Sequence, residues 1–136
     1  MDLKEKVAFI TGGASGLGRA AAENFVAAGA KVMLFDLNRE SAEAAAQELG
    51  ENANWSAGDV SDENDVTQAI LKTKDCFGAL HININSAGIG AAARTLGKNG
   101  PMPLQQFEFV IKVNLLGTFN CLRLCAAEMK NNERQT

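Results

Sequence analysis

Three glycines, Gly12, Gly16 and Gly18, stand in the stretch Thr11-Gly12-Gly13-Ala14-Ser15-Gly16-Leu17-Gly18. An apolar run, Val7-Ala8-Phe9-Ile10, precedes them, and Leu17, Ala20, Ala21, Asn24, Phe25 and Ala28 follow at helical spacing. A strand-to-helix turn of this kind can hold a diphosphate. Gly12 suits a tight exit from the strand, Gly16 a close approach of backbone N–H groups to phosphate oxygens, and Gly18 the packing of helix on strand. The helix opening adds positive potential. A second apolar run, Lys31-Val32-Met33-Leu34-Phe35, ends at Asp36. That places a carboxylate about 20 residues past the turn, where it can accept hydrogen bonds from an adenosine ribose diol. The same charge would repel a 2′-phosphate by roughly 1 to 4 kcal/mol at about 4 Å, so NAD is expected rather than NADP. Ser15 and Leu37 are uncharged and offer such a phosphate nothing, whereas Arg19 and Arg39 are close enough in sequence to offer a cation.

The bulk composition narrows the classes. With 136 residues and 46% hydrophobic content the chain can build one core, yet it is short for a complete nucleotide-dependent enzyme. Net charge is only −3, with acids and bases interleaved, so a nucleic-acid footprint is not expected. Met1 to Lys6 are too few and too charged for a signal peptide, and no uninterrupted apolar run reaches transmembrane length. A cytoplasmic protein without membrane contact is the expectation. Cys76, Cys121 and Cys125 read as reduced packing residues; His81, the only histidine, lies on a different element from the cysteine pair, so no metal site is expected.

Along the chain, helical and strand-like patterns alternate. A helix over about Arg39 to Leu49 carries Ala42, Ala45, Ala46 and Leu49 inward and closes at Gly50. A strand at Asn54 to Ala57 leads into Gly58-Asp59-Val60. Ser61 is the expected N-cap of the next helix, whose first turn holds Asp62, Glu63 and Asp65. Val66, Ala69, Ile70 and Thr73 mark its inner face, Gly78 ends it, and Leu80 to Asn85 reads as the fourth strand. Strands alternating with helices imply an α/β, doubly wound parallel sheet of Rossmann type in the order 3-2-1-4. Residues Ile89 to Pro103 form a small-residue loop near the cofactor. A long helix then runs from about Leu104 to Asn131. Its main stripe is Phe107, Ile111, Asn114, Thr118, Leu122, Cys125 and Met129, and a second apolar set is Val110, Val113, Leu116, Phe119 and Leu124. One face is expected to cover the sheet and another to meet a partner subunit, giving a homodimer or homotetramer.

Taken together, the glycine turn, Asp36, Asp59-Val60, Asn85-Ser86-Ala87-Gly88 and Asn114 within the long helix resemble the short-chain dehydrogenase/reductase family across essentially the whole chain. The wording around the three motifs Ile10 to Gly18, Asn85 to Ile89 and Val113 to Asn120 is most similar to the family's branch acting on 3-hydroxyacyl-CoA and hydroxysteroid substrates. By this resemblance Ser15 and Leu17 contact the cofactor in the phosphate turn, Asp36 binds the adenosine ribose, and Asp59 and Val60 hold the adenine. Ser86, within the Asn85, Ser86, Ala87 and Gly88 turn, lines the path to the nicotinamide, and Asn85 ties neighbouring loops together by side-chain hydrogen bonds. Asn114 matches the family's helix asparagine, which holds a water in a proton relay. Asparagine is a poor interior helix residue because its amide competes with the backbone, and it can open the helix there. His81 stands where many relatives carry an acid and is expected to be a partly exposed, non-catalytic loop residue.

The resemblance implies an NAD-dependent oxidoreductase that interconverts a secondary alcohol and a ketone by hydride transfer. That chemistry needs a base within hydrogen-bond reach of the alcohol. The family supplies it from a Tyr-x-x-x-Lys helix aided by a serine, and this sequence has no tyrosine. Residues 1–136 are therefore expected to be the cofactor-binding, N-terminal part of a longer single-domain enzyme, lacking its C-terminal strands and inactive alone. Asn131 to Thr136 fall where the connection to the next strand would begin. A noncatalytic NAD-binding module or redox sensor would keep the turn and Asp36 without needing tyrosine. An interaction protein retaining only the fold would need neither.

Overall fold

A computed structural model describes residues 1–133. Four strands form one parallel sheet in the order β3-β2-β1-β4, with β1 at Val7–Thr11, β2 at Lys31–Asp36, β3 at Ala53–Ala57 and β4 at Ile82–Asn85. The doubly wound arrangement expected from the sequence is thus the observed one. All five residues of β1 are buried, as a central strand covered on both faces requires. Its register sets Phe9 beside Met33 on one side and Asn83 on the other.

The period of two then divides the sheet into two faces. Phe9, Met33 and Phe35 point to one layer, where Val66, Ala69 and Ile70 of α3 (Glu63–Phe77) and Cys121 and Cys125 of α5 (Gly117–Met129) meet them. Phe9 and Phe35 stack with ring centroids 5.6 Å apart. Ala8, Ile10, Val32 and Leu34 point the other way, onto Ala22 of α1 (Gly16–Ala27) and Ala45 and Ala46 of α2 (Arg39–Leu49). Burial also raises the Cys121 and Cys125 thiols to about 12, so both are inert packing groups.

Several local expectations are corrected. Asp62, not Ser61, caps α3 by accepting from Asp65 N, while Ser61 turns back and donates to Asp59. The carboxylate one residue later meets the same orphan N–H groups. Strand β3 starts one residue early, at Ala53, and β4 starts only at Ile82. Inside the Ile89 to Pro103 loop a small hairpin pairs β5 (Leu96–Gly97) with β6 (Gly100–Pro101).

The long helix shows the largest difference. It is α4 (Leu104–Ile111), a π turn at Lys112–Leu116, and α5. The extra residue in the π turn rotates everything beyond it. Beyond it, α5 buries Gly117, Asn120, Cys121 and Cys125 and leaves Leu122 of the predicted main stripe exposed; Phe107, before the turn on α4, is exposed as well. Taken end to end, Leu104–Met129 spans 26 residues, and an 18-residue stretch within it has mean hydropathy 1.3, which by length and composition alone reaches that of a membrane-spanning segment. Counting uninterrupted apolar residues does not find this stretch, because Lys112, Asn114, Thr118, Asn120 and Arg123 break the run. In this fold the helix packs on the sheet layer through Cys121 and Cys125, while only 22% of that apolar stretch is buried. Arg134 to Thr136, at the expected start of a connection to another strand, lie outside the described residues.

Candidate functional site

The strand order reverses beside β1, which leaves for β2 on one side and pairs with β4 on the other. Crevices at such switch points open at the carboxyl ends of the strands. A cleft of about 430 Å³ lies there. Gly12, Ser15, Gly16 and Leu17 line it from the first turn, Asp36 from the end of β2, Asp59 and Val60 from the loop after β3, and Ser86, Ala87 and Gly88 from the loop after β4. Residues distant in sequence and singled out by type thus share one wall.

Close backbone packing builds the cleft floor. Gly12 has φ +62°, and a Cβ there would come within 2.9 Å of the Ser86 and Ala87 backbone. Gly18 lies beneath it, where a Cβ would collide with the Gly12 carbonyl. It is buried and does not line the cleft; its neighbour is the turn itself rather than the strand. Any side chain at either position would separate turn, helix and the β4 loop.

The opening of α1 is free to meet an anion. Ser15 is its N-cap residue in extended conformation, makes no side-chain capping bond, and no acid stands in the first turn. The first N–H groups of the helix therefore keep their donor capacity and their positive potential. Asp36 closes this end of the cleft: its Oδ2 accepts from Ala14 N and its Oδ1 from Asn38 N, both at 3.1 Å. Each oxygen retains lone pairs for a further donor. Those bonds fix the carboxylate beside the helix opening.

Asp59 is held as firmly. Its Oδ1 accepts from Ser61 N at 2.8 Å and from Ser61 Oγ at 2.7 Å, and its own N–H donates to Asp65. Burial pushes the Asp59 carboxyl upward, but the two Ser61 bonds and the charge of Lys112 outweigh that and hold it below the ordinary Asp value. Val60 anchors the loop to the helix. Its carbonyl accepts from buried Asn120 Nδ2 at 2.9 Å, and Gly117 admits its side chain where a Cβ would clash.

On the β4 side, Thr11 does what no sequence pattern announced. Its buried Oγ1 accepts from both Ser86 N and Ala87 N at 3.2 Å and so fixes the loop over Gly12. The one available signal was a polar residue ending a wholly apolar strand. Asn85 does not line the cleft and donates only to Asn83 Oδ1 on its own strand; the tie across to β1 is made by Asn83, whose Nδ2 donates to Phe9 O. Phe109 and Val113 also reach the wall, from α4 and the π turn. Neither was singled out for the site, because helix periodicity alone does not say where the helix lies relative to the cleft.

Asn114 sits in the middle of the π turn. Its Oδ1 accepts from Ile89 N and its Nδ2 donates to Ile89 O, both at 2.8 Å. The amide thus pairs with the loop backbone as a neighbouring strand would and docks the Ser86 to Ile89 segment on the helix. The helix widens into its π turn at this residue, and both polar atoms of the side chain are engaged by Ile89 rather than by the helix backbone. His81 is partly buried: its ring Nδ1 accepts from Val7 N at 3.0 Å and its backbone N–H donates to Val7 O at 2.9 Å. It lies at the opposite end of the strands from the cleft and does not line it.

Comparison with known proteins gives this arrangement a lineage. Residues 6–136 match the short chain dehydrogenase family. The human 3-hydroxyacyl-CoA dehydrogenase type-2 is 46% identical over 133 residues, 96% of this chain and 51% of that protein. The Drosophila melanogaster protein of the same name is 43% identical, covering 96% of this chain and 52% of that one. A crystal structure of 3-ketoacyl-(acyl-carrier-protein) reductase from Brucella melitensis, complexed with NADH, superposes with a TM-score of 0.87 at 35% identity, covering 96% of this chain and 52% of that one. The chain spans about half the length of the curated relatives it matches.

Proposed function

The chain belongs to the short chain dehydrogenase family, and from that premise we propose that residues 1–136 form the NAD-binding part of an oxidoreductase interconverting a secondary alcohol and a ketone. One observation carries the reading: the uncapped opening of α1 and the fixed carboxylate of Asp36 share a single cleft at the strand switch point. In this reading the N–H groups of the first turn hold the diphosphate and Asp36 accepts from the ribose hydroxyls. Asp59 Oδ1 is saturated by Ser61, which leaves Oδ2 to accept from the adenine amino group while Val60 gives an apolar contact. Ser86, Ala87 and Gly88, pinned by Thr11 and by the Asn114–Ile89 pair, shape the path toward the reacting end.

NAD, when bound, supplies the hydride acceptor. The chain's own contribution is orientation and exclusion of water, which near-attack geometry demands. A π turn also frees a backbone carbonyl from its usual helical partner, so the turn around Asn114 supports a water in a proton relay. These residues include no tyrosine, and in this reading the family's proton-transfer groups are supplied by other sequence, with no turnover expected from residues 1–136 alone. A 3-hydroxyacyl-CoA or hydroxysteroid-like substrate is favoured by the relatives. A homodimer or homotetramer is supported by the apolar side chains left exposed on α4 and α5, among them Phe107, Phe119 and Leu122.

Titration calorimetry of the full-length protein tests the carrying observation. NAD binding is expected, and Asp36→Ala should weaken it by about 1.5 to 3 kcal/mol, as loss of hydrogen bonds to a charged acceptor does. Unchanged affinity would remove Asp36 from the site. An absorbance assay for NADH with 3-hydroxyacyl-CoA substrates then separates a dehydrogenase from a noncatalytic sensor, which would bind NAD and turn nothing over.

A further inference from the structure

Resting on the nucleotide reading of the cleft, we propose that Trp55 is a specificity-determining residue, which holds the Arg39 guanidinium against its ring and so denies a 2′-phosphate the nearest available cation. Asp36 and Leu37 line the cleft, Asn38 caps α2, and Arg39 is the first residue of that helix. Arg39 is therefore the cation closest along the chain to the ribose acid. Its guanidinium lies over the Trp55 ring, 5.1 Å from the centroid. Guanidinium groups are weakly hydrated and planar, so an aromatic face holds them well.

The ring is itself held in place. Lys72 Nζ lies 4.8 Å from the same centroid and donates to the Trp55 carbonyl. Trp55 also packs against the sheet layer formed with α1 and α2. Arg19, the other arginine that the sequence places near the turn, is occupied too. Its Nε binds Glu23 at 3.0 Å and its Nη2 binds Glu48 at 2.7 Å. Among the described residues, the cleft wall contains Asp36 and Asp59 and no lysine or arginine. Discrimination against a phosphorylated ribose then has two sources: repulsion by Asp36, and sequestration of Arg39, the cation that stands closest to Asp36 along the chain.

The experiment compares dissociation constants for NADP and NAD in the full-length protein. Trp55→Leu should lower the NADP/NAD ratio of these constants about two- to fivefold, the most that release of an exposed guanidinium from an aromatic face can return, with NAD affinity little changed. Trp55→Thr, better suited to an edge strand, is a second ring-free variant should the leucine fold poorly. Trp55→Phe keeps an aromatic face and should keep the wild-type ratio. The double variant Trp55→Leu/Arg39→Gln should also return to the wild-type ratio, since the released cation is then gone. A purely structural role for Trp55 would move thermal stability in all ring-free variants without this dependence on Arg39. An unchanged ratio in the ring-free variants alongside intact NAD binding overturns the proposal alone. Failure of the wild-type protein to bind NAD overturns the nucleotide reading and the proposal with it.

Discussion

Phe9 and Phe35, on the central strands, and Phe107 and Phe119, on the long helix, are the same kind of side chain in opposite circumstances. The first two are 0% exposed, while the second two are 55% and 60% exposed. Around β1 and β2, helices cover both faces and each strand edge finds another strand. Along α4, the π turn and α5, only one face is covered, by contacts through Cys121, Cys125 and partly buried Val113 and Leu124. Apolar composition does not by itself tell a core from a surface. What separates them is whether the topology brings a second layer to each face.

The comparison can be broken most directly in the sheet. Phe9→Ala should cost about 3 to 5 kcal/mol, because a large buried ring leaves a cavity between α3, α5 and the sheet. Denaturant unfolding measures it, and a cost under ~1 kcal/mol would show that the two regions are not energetically distinct. Where the two regions meet, Asn114→Ala removes both bonds to Ile89. About 1 to 2 kcal/mol should be lost. If the pair docks the cleft wall, exchange of the Ile89 amide rises and NAD affinity falls several-fold.

A smaller effect is expected at the far end of the strands. Burial, aided by the charge of Lys6, holds the His81 imidazole below its ordinary value, and its neutral Nδ1 accepts from Val7 N. The folded state therefore prefers the unprotonated ring. Its stability contribution is fully present above the unfolded value of about 6.5 and is lost as pH falls below that toward the depressed folded value. His81→Asn keeps an acceptor that does not titrate, so its unfolding midpoint should decline less than wild type between pH 7 and pH 5. An identical decline in both proteins would remove His81 as the cause. Smallest of all, Phe119→Ser should change stability by no more than ~0.5 kcal/mol. Its effect should appear instead in sedimentation, as weaker self-association. A stability loss as large as that of Phe9→Ala would mean this face is not free.

The elements that were legible in advance are those whose signal is local. Val7 to Ile10 and Lys31 to Phe35 are short, apolar and bounded by turns, and Gly50 and Gly78 do stand at the C-caps of α2 and α3. The cap of α3 was misplaced by one residue because Ser61 and Asp62 are both good caps, and only the Asp59 carboxylate, by engaging Ser61, decides between them. One continuous period does not describe the long helix. Its π turn falls at Asn114, whose amide is paired with Ile89, 25 positions away in sequence. Nothing local encodes that partner.

Residue types and spacings alone determined that this is a doubly wound nucleotide-type fold with a glycine turn and an acid at the end of the second strand. Both features are written within a few neighbouring residues. Only the tertiary structure decided that Thr11 clamps Ser86 and Ala87, that Asn114 docks Ile89, and that Trp55 takes Arg39. Each is a pairing between distant segments, fixed by which layers the parallel sheet brings into contact and by the need of every buried polar group for a partner.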